Sequence, residues 1–438
     1  MTKTPHIGTK GRTLCCAALA IAGVVPLLSG CSSGDDGGVT INLYNAPQQN
    51  LQQIVDRCNK EADGAYDIKL HTLPRGADGQ REQMVRRLAA EDSGMDVLGL
   101  DVTWTAELAS AKWIRPWPKD KAAEATEGVL EGPLQTAMYE DELYAAPYNS
   151  NVQLLWYRSD LVPEAPTTWS ELIDVAEKLK SEDKPHYFEV TGAQYEGLVV
   201  WFNSMVESAG GKLLNEDGDK VELGPEAVKA LETMRDFAKS AAANPSLPNT
   251  QEDPARLAVE SGASFGEANW PFVYPAMQGS GAKFAKDFKW APYPGIDGPG
   301  KSPLGGANFA VSSYSEHPDE AFDATLCLRD PQSQLTAAVK DGLPPTIESV
   351  YDSTDTVEVT DPEGKTSQVG MADAYPMRDA IKDAIKNAAV RPVTPVYQNV
   401  STVTSKILSP PGSIDPETTE QRLREQIADA LESKGVLP

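Results

Sequence analysis

Short apolar runs alternate with amphipathic segments over the first hundred residues after the N-terminal region. The runs at residues 39–44, 66–73 and 95–100 are rich in aliphatic and β-branched residues, which is typical of strands. Between the first two runs, apolar residues from Leu51 to Cys58 follow the i, i+3, i+4, i+7 spacing of one helix face. A second helix is predicted between the second and third runs. This order predicts a parallel sheet, in which ligands lie beyond the carboxyl ends of the strands.

The rest of the chain continues the mixed pattern, so the predicted fold class is α/β. The predicted strands are residues 151–157, 289–294 and 308–312, and the predicted helices are residues 169–180, 197–210, 226–242, 321–328, 376–388 and 416–433. Residues 269–271 are predicted to form a loop that presents Trp270. Residues 352–369 are polar and aperiodic, which predicts an exposed loop.

The first thirty residues have the layout of a secretory signal peptide. Three basic residues precede an apolar run that ends in small residues, and the run is too short for a membrane span. Its end, Leu-Ser-Gly-Cys31, resembles the lipobox of bacterial lipoproteins. Residues 1–30 are therefore predicted to be removed, with Cys31 lipidated on the outer face of the cytoplasmic membrane and residues 31–38 acting as a flexible tether. The alternative is an ordinary signal peptide with an incidental cysteine.

The charge and the cysteine count narrow the function. The formal net charge is −25, and removal of residues 1–30, which hold three basic residues and no acid, gives −28. Such a surface repels phosphate backbones, so nucleic-acid binding is not expected. No spacing typical of a zinc site occurs, and neither a metal nor a cofactor is predicted. Only Cys58 and Cys327 remain in a chain lipidated at Cys31. In an oxidising compartment they are predicted to form a disulfide, and the alternative is two buried thiols.

One phosphate-binding motif is rejected. Residues 295–302, GIDGPGKS, satisfy the pattern GxxxxGK[ST]. The pattern needs a helix that opens at the lysine, but Pro303 and the pair Gly305 and Gly306 follow at once, and Pro299 removes a backbone N–H donor. A turn is predicted instead.

Several polar and aromatic residues at predicted strand ends and loops suit a carbohydrate. Sugar rings pack their C–H faces on aromatic side chains, and their hydroxyl groups bind carboxylates, amides and guanidinium groups. The candidates are Asp101, Asn149, Asn151, Trp270 and Arg391. Each has a structural alternative: a helix cap for the aspartate, turn residues for the asparagines, a core residue for the tryptophan and a surface ion pair for the arginine.

Six longer segments, which together span most of the mature chain, can be compared with known families: LDVTWTAELA (residues 100–109), LYAAPYNSNVQLLWYRSDLV (143–162), GAQYEGLVVWFN (192–203), EANWPFVYPAM (267–277), GGANFAV (305–311) and AAVRPVTPVYQ (388–398). In these segments the chain resembles the extracytoplasmic solute-binding proteins of ABC sugar importers, and most of all the trehalose-binding lipoproteins of mycobacteria and related actinobacteria.

The resemblance implies two α/β lobes joined by crossing segments, with the ligand in the cleft between them. The first lobe would contain residues 39–150 and 305–342, and the second would contain residues 151–304 and 343–438. Cys58 and Cys327 then fall in the same lobe.

The resemblance also implies a set of ligand contacts: Asn45 in the first loop (with Gln49 as an alternative), Arg81, Asp101, Asn149, Asn151, Trp270 with Phe272 nearby, Gly305, Gly306 and Arg391. The implied function is capture of a disaccharide, trehalose above all, by a monomer that closes around it and delivers it to a membrane permease. Maltose, maltooligosaccharides or another glycoside remain alternative ligands. An anchored glycoside hydrolase with Asp101 and Glu267 as its carboxylates is the alternative from another class.

Overall fold

The computed structural model describes residues 38–360 and 364–434. The predicted signal peptide, Cys31 and most of the predicted tether lie outside the described residues. Within the described part of the chain, no helix combines the length and the apolar character needed to cross a membrane.

Thirteen strands occur in the described residues: β1 (Val39–Asn45), β2 (Tyr66–Thr72), β3 (Val97–Asp101), β4 (Met138–Tyr139), β5 (Glu142–Leu143), β6 (Ala145–Val152), β7 (Leu154–Arg158), β8 (Tyr187–Glu189), β9 (Ser264–Asn269), β10 (Phe288–Ala291), β11 (Leu304–Val311), β12 (Thr356–Thr360) and β13 (Thr366–Gly370).

Sixteen α-helices occur in the same residues: α1 (Leu51–Glu61), α2 (Ala77–Leu88), α3 (Thr105–Ser110), α4 (Lys119–Thr126), α5 (Glu131–Gln135), α6 (Trp169–Ser181), α7 (Glu196–Ser208), α8 (Pro225–Lys239), α9 (Glu252–Glu260), α10 (Val273–Gly279), α11 (Pro318–Arg329), α12 (Pro331–Asp341), α13 (Met371–Ala374), α14 (Arg378–Lys386), α15 (Tyr397–Leu408) and α16 (Pro416–Leu431). The predicted α/β class is confirmed.

Local sequence signals explain where several helices begin. The face of α1 that was predicted from its apolar spacing is the buried face. At the start of α6 the Thr168 hydroxyl accepts a hydrogen bond from the Glu171 N–H (3.1 Å), and the Glu171 carboxylate accepts one from the Thr167 N–H (2.8 Å). This reciprocal pair satisfies N–H groups that have no partner within the helix.

The first sheet brings several predicted site residues to one edge. Its strand order is β2-β1-β3-β11-β6; β1 is parallel to β2 and β3, whereas β11 runs antiparallel to β3 and β6. The carboxyl ends of β3 and β6 therefore lie beside the beginning of β11. Ala307 pairs with Asp101 on one side and with Asn149 on the other, and Gly305 pairs with Asn151.

The second sheet begins where the first one ends. Its order is β10-β7-β9-β8, and β7 starts two residues after β6 stops. Leu154, the first residue of β7, pairs with Asn269, the last residue of β9. Trp270 therefore lies next to the segment by which the chain passes from one sheet to the other.

One local prediction was wrong, and one strand was missed. Residues 352–369, predicted as a loop, contain the antiparallel pair β12–β13, in which Val357 is buried while neighbouring residues are exposed. Because most residues of this segment are polar, the short alternating pattern of β12 was not recognised. Strand β9 was missed, because it buries Glu267 and Asn269, and polar residues in a segment do not indicate a buried strand.

Cys58 on α1 and Cys327 on α11 are joined by a disulfide in the structure, with their Cα atoms 5.8 Å apart. Both cysteines belong to or contact the apolar cluster that covers one face of the first sheet.

Candidate functional site

A buried arginine connects elements of the two sheets. Arg391 lies in the segment between α14 and α15 and is 4% exposed. Its Nη2 donates to Asp101 Oδ1 at the end of β3 (3.0 Å), and its Nη1 donates to Glu196 Oε1 in the first turn of α7 (2.6 Å). The guanidinium group thus binds one carboxylate from the first sheet and one from α7, a helix that packs against the second sheet.

Both carboxylates favour the charged form of Arg391. Burial acts to lower the pKa of Arg391, but the opposite charges of Asp101 and Glu196 outweigh it and raise the pKa. Burial raises the pKa of Glu196, although Arg391 and hydrogen bonds from Ser401 and Tyr397 oppose that shift. The Tyr397 hydroxyl donates to Glu196 Oε1 over 2.7 Å, and the Ser401 hydroxyl donates to Oε2. Arg391 remains cationic and is held in one orientation.

Asp101 combines two roles. Its Oδ1 also accepts hydrogen bonds from the N–H (3.0 Å) and the hydroxyl (2.9 Å) of Thr103, which orders the turn before α3. About a quarter of its side-chain surface (24%) stays exposed. The carboxylate can therefore accept hydrogen bonds from a ligand while it stays bound to Arg391.

Trp270 lies against a glycine of the first sheet. A Cβ atom on Gly305 would lie 2.9 Å from Cη2 and 3.0 Å from Cζ3 of the Trp270 ring, closer than side-chain atoms pack. Gly306 has φ +131°, and a Cβ there would lie 2.2 Å from the carbonyl oxygen of Asn149. The two glycines make room for the indole and for close pairing of β11 with β6.

A cavity links Arg391 to the beginning of β11. Its lining is mostly apolar: Val102, Thr103, Ala106, Thr136, Leu304, Val390, Arg391, Pro392 and Val393. Leu304 precedes Gly305, against which the Trp270 ring packs. The charged group and the aromatic ring therefore flank the same small region of the molecule.

Polar contacts also join the outer parts of the two halves. Arg75, just before α2, donates to Asp253 Oδ2 on α9 over 2.8 Å. Gln398 on α15 lies 3.5 Å from Asp78 on α2. Because α2 packs on the first sheet and α9 on the second, these contacts connect the two sheets, but Arg75 and Asp253 are well exposed and their pair contributes little.

The sequence model of the bacterial extracellular solute-binding proteins matches residues 45–325. The chain belongs to this family. It is 29% identical over 368 residues to a probable ABC transporter-binding protein of Deinococcus radiodurans, covering 79% of this chain and 82% of that protein.

Two solved structures are similar over almost their whole length. Maltose-bound T. maritima MalE3 has a TM-score of 0.78 and 25% identity, covering 89% of this chain and 99% of that one. The GacH receptor of Streptomyces glaucescens, solved unliganded and with acarbose, has a TM-score of 0.77 and 20% identity, covering 91% and 100%. The fold is the two-lobed α/β fold of these binding proteins.

Membership of this family makes the chain a binding protein and not an enzyme. The glycoside hydrolase alternative needed Asp101 and Glu267 to flank a bond of the ligand. Glu267 is fully buried (0% exposed) within β9, so it cannot contact a ligand.

The predicted asparagines of β6 lie in different surroundings. Asn149 is buried, and its backbone forms an isolated antiparallel β-bridge with Pro345. Asn151 lies on the same face as Gly305, and its buried Oδ1 has no hydrogen-bond partner among the described residues. Asn151 thus keeps an acceptor that no described residue satisfies.

Three other predicted residues are engaged elsewhere. Arg81 donates its Nε to Glu107 Oε2 of α3 over 2.7 Å and pairs with the other oxygen through Nη2. Asn45 is buried, and its Nδ2 donates to the carbonyl of Ala46 over 2.9 Å. Phe272 is half-buried and packs against an apolar cluster. The structure does not bring Arg81 or Asn45 into hydrogen-bond contact with the Asp101–Arg391–Glu196 group.

Two carboxylates of this region were missed. Glu196 is the first residue of α7, a helix that is otherwise mostly apolar and buried. An acidic residue at the start of such a helix was the one signal that could have indicated a functional carboxylate. Glu252 opens α9; burial raises its pKa, and interactions with Tyr195 and Trp270 lower it. No sequence signal separated Glu252 from the ordinary acidic residues of a helix N-terminus.

Proposed function

We propose that the protein binds a disaccharide, with trehalose the favoured ligand, between two lobes formed by residues 39–150 with 305–342 and residues 151–304 with 343–438. Lipidation of Cys31 would hold it at the outer face of the cytoplasmic membrane, from where it delivers the sugar to an ABC permease. It would act as a monomer.

The observation that carries this proposal is the connection that Arg391 makes between Asp101 and Glu196 beside Trp270. A sugar between the lobes would pack one ring face on the indole. Its hydroxyl groups would donate to Asp101 and Asn151 and accept from Arg391, and hydrogen bonds to charged groups are the stronger ones. Glu196 would keep the guanidinium in place throughout.

Closure and release follow from the same contacts. Separation of the lobes would break the Arg391–Asp101 and Arg75–Asp253 pairs, of which the second is well exposed and contributes little. A bound sugar would add contacts to both halves and shift the equilibrium to the closed form. A micromolar dissociation constant, about −8 kcal/mol, suits a protein that must also release its ligand.

The names of similar proteins support a carbohydrate ligand. One relative is a lactose-binding protein of Rhizobium radiobacter, 28% identical over 251 residues that cover 53% of this chain and 57% of that protein. Maltose is bound in T. maritima MalE3. Maltose or a maltooligosaccharide is accordingly the second candidate ligand.

Isothermal titration of the mature protein with trehalose, maltose, sucrose, maltotriose and mannitol tests the proposal. We expect one-to-one binding of a disaccharide, with the sugar recovered unchanged by mass spectrometry. Binding of mannitol alone, or no heat with any of the five, would refute a disaccharide ligand.

A further inference from the structure

The strand that leads to Trp270 carries two polar residues that no ligand can touch. Glu267 and Asn269, both on β9, have no exposed surface. The Asn269 Nδ2 donates to Glu267 Oε2 over 2.6 Å and to the carbonyl oxygen of Glu252 over 3.1 Å. The Asn269 Oδ1 accepts a hydrogen bond from the backbone N–H of Trp270 over 2.9 Å. One amide side chain thus ties three points of the chain together.

The backbone of Asn269 is held as well. Its carbonyl oxygen accepts a hydrogen bond from the Trp156 indole over 2.8 Å, and the residue pairs with Leu154 in β7. The peptide group before Trp270 is therefore fixed on both sides. Since the path of the backbone decides where a side chain starts, this arrangement decides how the indole meets Gly305.

We propose that Glu267 is a positioning residue for ligand binding, which acts through Asn269 to hold Trp270 at Gly305. The inference rests on the proposed function in one respect only, that the Trp270 ring packs against a sugar. Glu267 itself never contacts the ligand.

The surroundings of Glu267 favour its neutral form. Burial raises its pKa to about 8, against the hydrogen bond from Asn269. Glu189 of β8 and Glu260 of α9 raise it further, and Arg256 of α9 lowers it. Glu189 pairs with Glu267 in the sheet, but its own carboxylate accepts hydrogen bonds from Asn244 (2.8 Å) and Ser264 (2.5 Å).

Ionisation of Glu267 would disturb this link. Its Oε1 is buried and has no hydrogen-bond partner among the described residues, so a negative charge there would be poorly compensated. The buried charge would be stabilised by entry of water or by movement of β9. Either change would displace Asn269 and the peptide group of Trp270. We therefore expect the affinity for the sugar to fall as the pH rises through about 8 and Glu267 ionises.

Calorimetric titration with trehalose and maltose, on the mature protein between about pH 6.5 and pH 9.5, measures this effect. The affinity of the wild type should fall about fivefold or more over this range. E267Q, which keeps the size and neutrality of the protonated acid, should bind at every pH as the wild type does near neutral pH. The matched control E189Q, which alters the neighbouring buried acid, should keep the alkaline fall. A fall that persists in E267Q, or no fall in the wild type, would overturn the proposal.

A second readout needs no ligand. In protein with ¹⁵N-labelled tryptophan, the indole resonance of Trp270 is identified by its absence from W270F. It should shift with a midpoint near pH 8 in the wild type and at a lower pH in E189Q, which lacks the neighbouring acid that raises the pKa of Glu267, but it should not shift in E267Q. Glu252, the other acid near Trp270, is unchanged in E267Q, so a shift that survives there would assign the effect to Glu252 and refute the proposal. If neither sugar binds at any pH, the proposed function fails, and this spectrum still decides the role of Glu267.

Discussion

Replacement of Arg391 by methionine tests the energetics of the site most sharply. The substitution removes the cation but keeps a long side chain, and it leaves two carboxylates that face each other across the former guanidinium. The Glu196 side chain is only 11% exposed, so its charge loses its main compensation inside the protein. Removal of one partner from a buried ion pair costs about 3–5 kcal/mol. Hydrogen bonds from Tyr397 and Ser401 to Glu196 remain, and we therefore expect a loss near the lower end, about 3 kcal/mol.

Equilibrium unfolding in urea, followed by tryptophan fluorescence, measures this loss. The control is R86M, in which both the arginine (76% exposed) and its partner Glu82 (59% exposed) lie at the surface, so a loss of at most about 1 kcal/mol is expected. The double variant E196Q/R391M should regain part of the stability, because no stranded carboxylate remains on α7. If R391M is as stable as R86M, the ion pairs of Arg391 do not behave as buried pairs.

Three further predictions concern single residues. Trp270→Ala should abolish most sugar binding in calorimetry while the protein stays folded by circular dichroism; an unchanged titration would remove the indole from the site. Asp101→Ala should weaken binding by about 1.5–3 kcal/mol, as expected for a hydrogen bond to a charged group. A change below about 0.5 kcal/mol would show that Asp101 only orders the turn with Thr103 and does not bind the sugar. Cys58→Ser should lower the free energy of unfolding by about 2–5 kcal/mol through loss of the disulfide to Cys327. Alkylation of both cysteines in the native secreted protein would show instead that they are free thiols.

Much of the fold follows from the sequence because apolar spacing reports burial directly. The face of α1 and the parallel order of β1, β2 and β3 were predicted in this way, and both are confirmed. Strand β9 escaped because burial there includes Glu267 and Asn269, whose hydrogen-bond partners come from distant parts of the chain. Patterns within one segment carry no information about such partners.

The site was predictable only in part, and for a related reason. Asp101 was predicted as a site residue at a strand end and Arg391 in a loop segment, because both residue types suit a sugar. The resemblance to a known family implied the same two residues. Their contact spans 290 positions and depends on how the halves meet. The pairing of Arg81 with Glu107 likewise depends on the packing of α2 against α3, which the sequence of either helix does not reveal.

We propose that two halves of this chain close around a sugar and release it unmodified. Small-angle X-ray scattering of the mature protein, with and without saturating trehalose or maltose, tests it directly. We predict a smaller radius of gyration with the sugar that binds, and no such change in W270A. Identical scattering profiles at sugar concentrations that saturate the wild type in calorimetry would contradict closure.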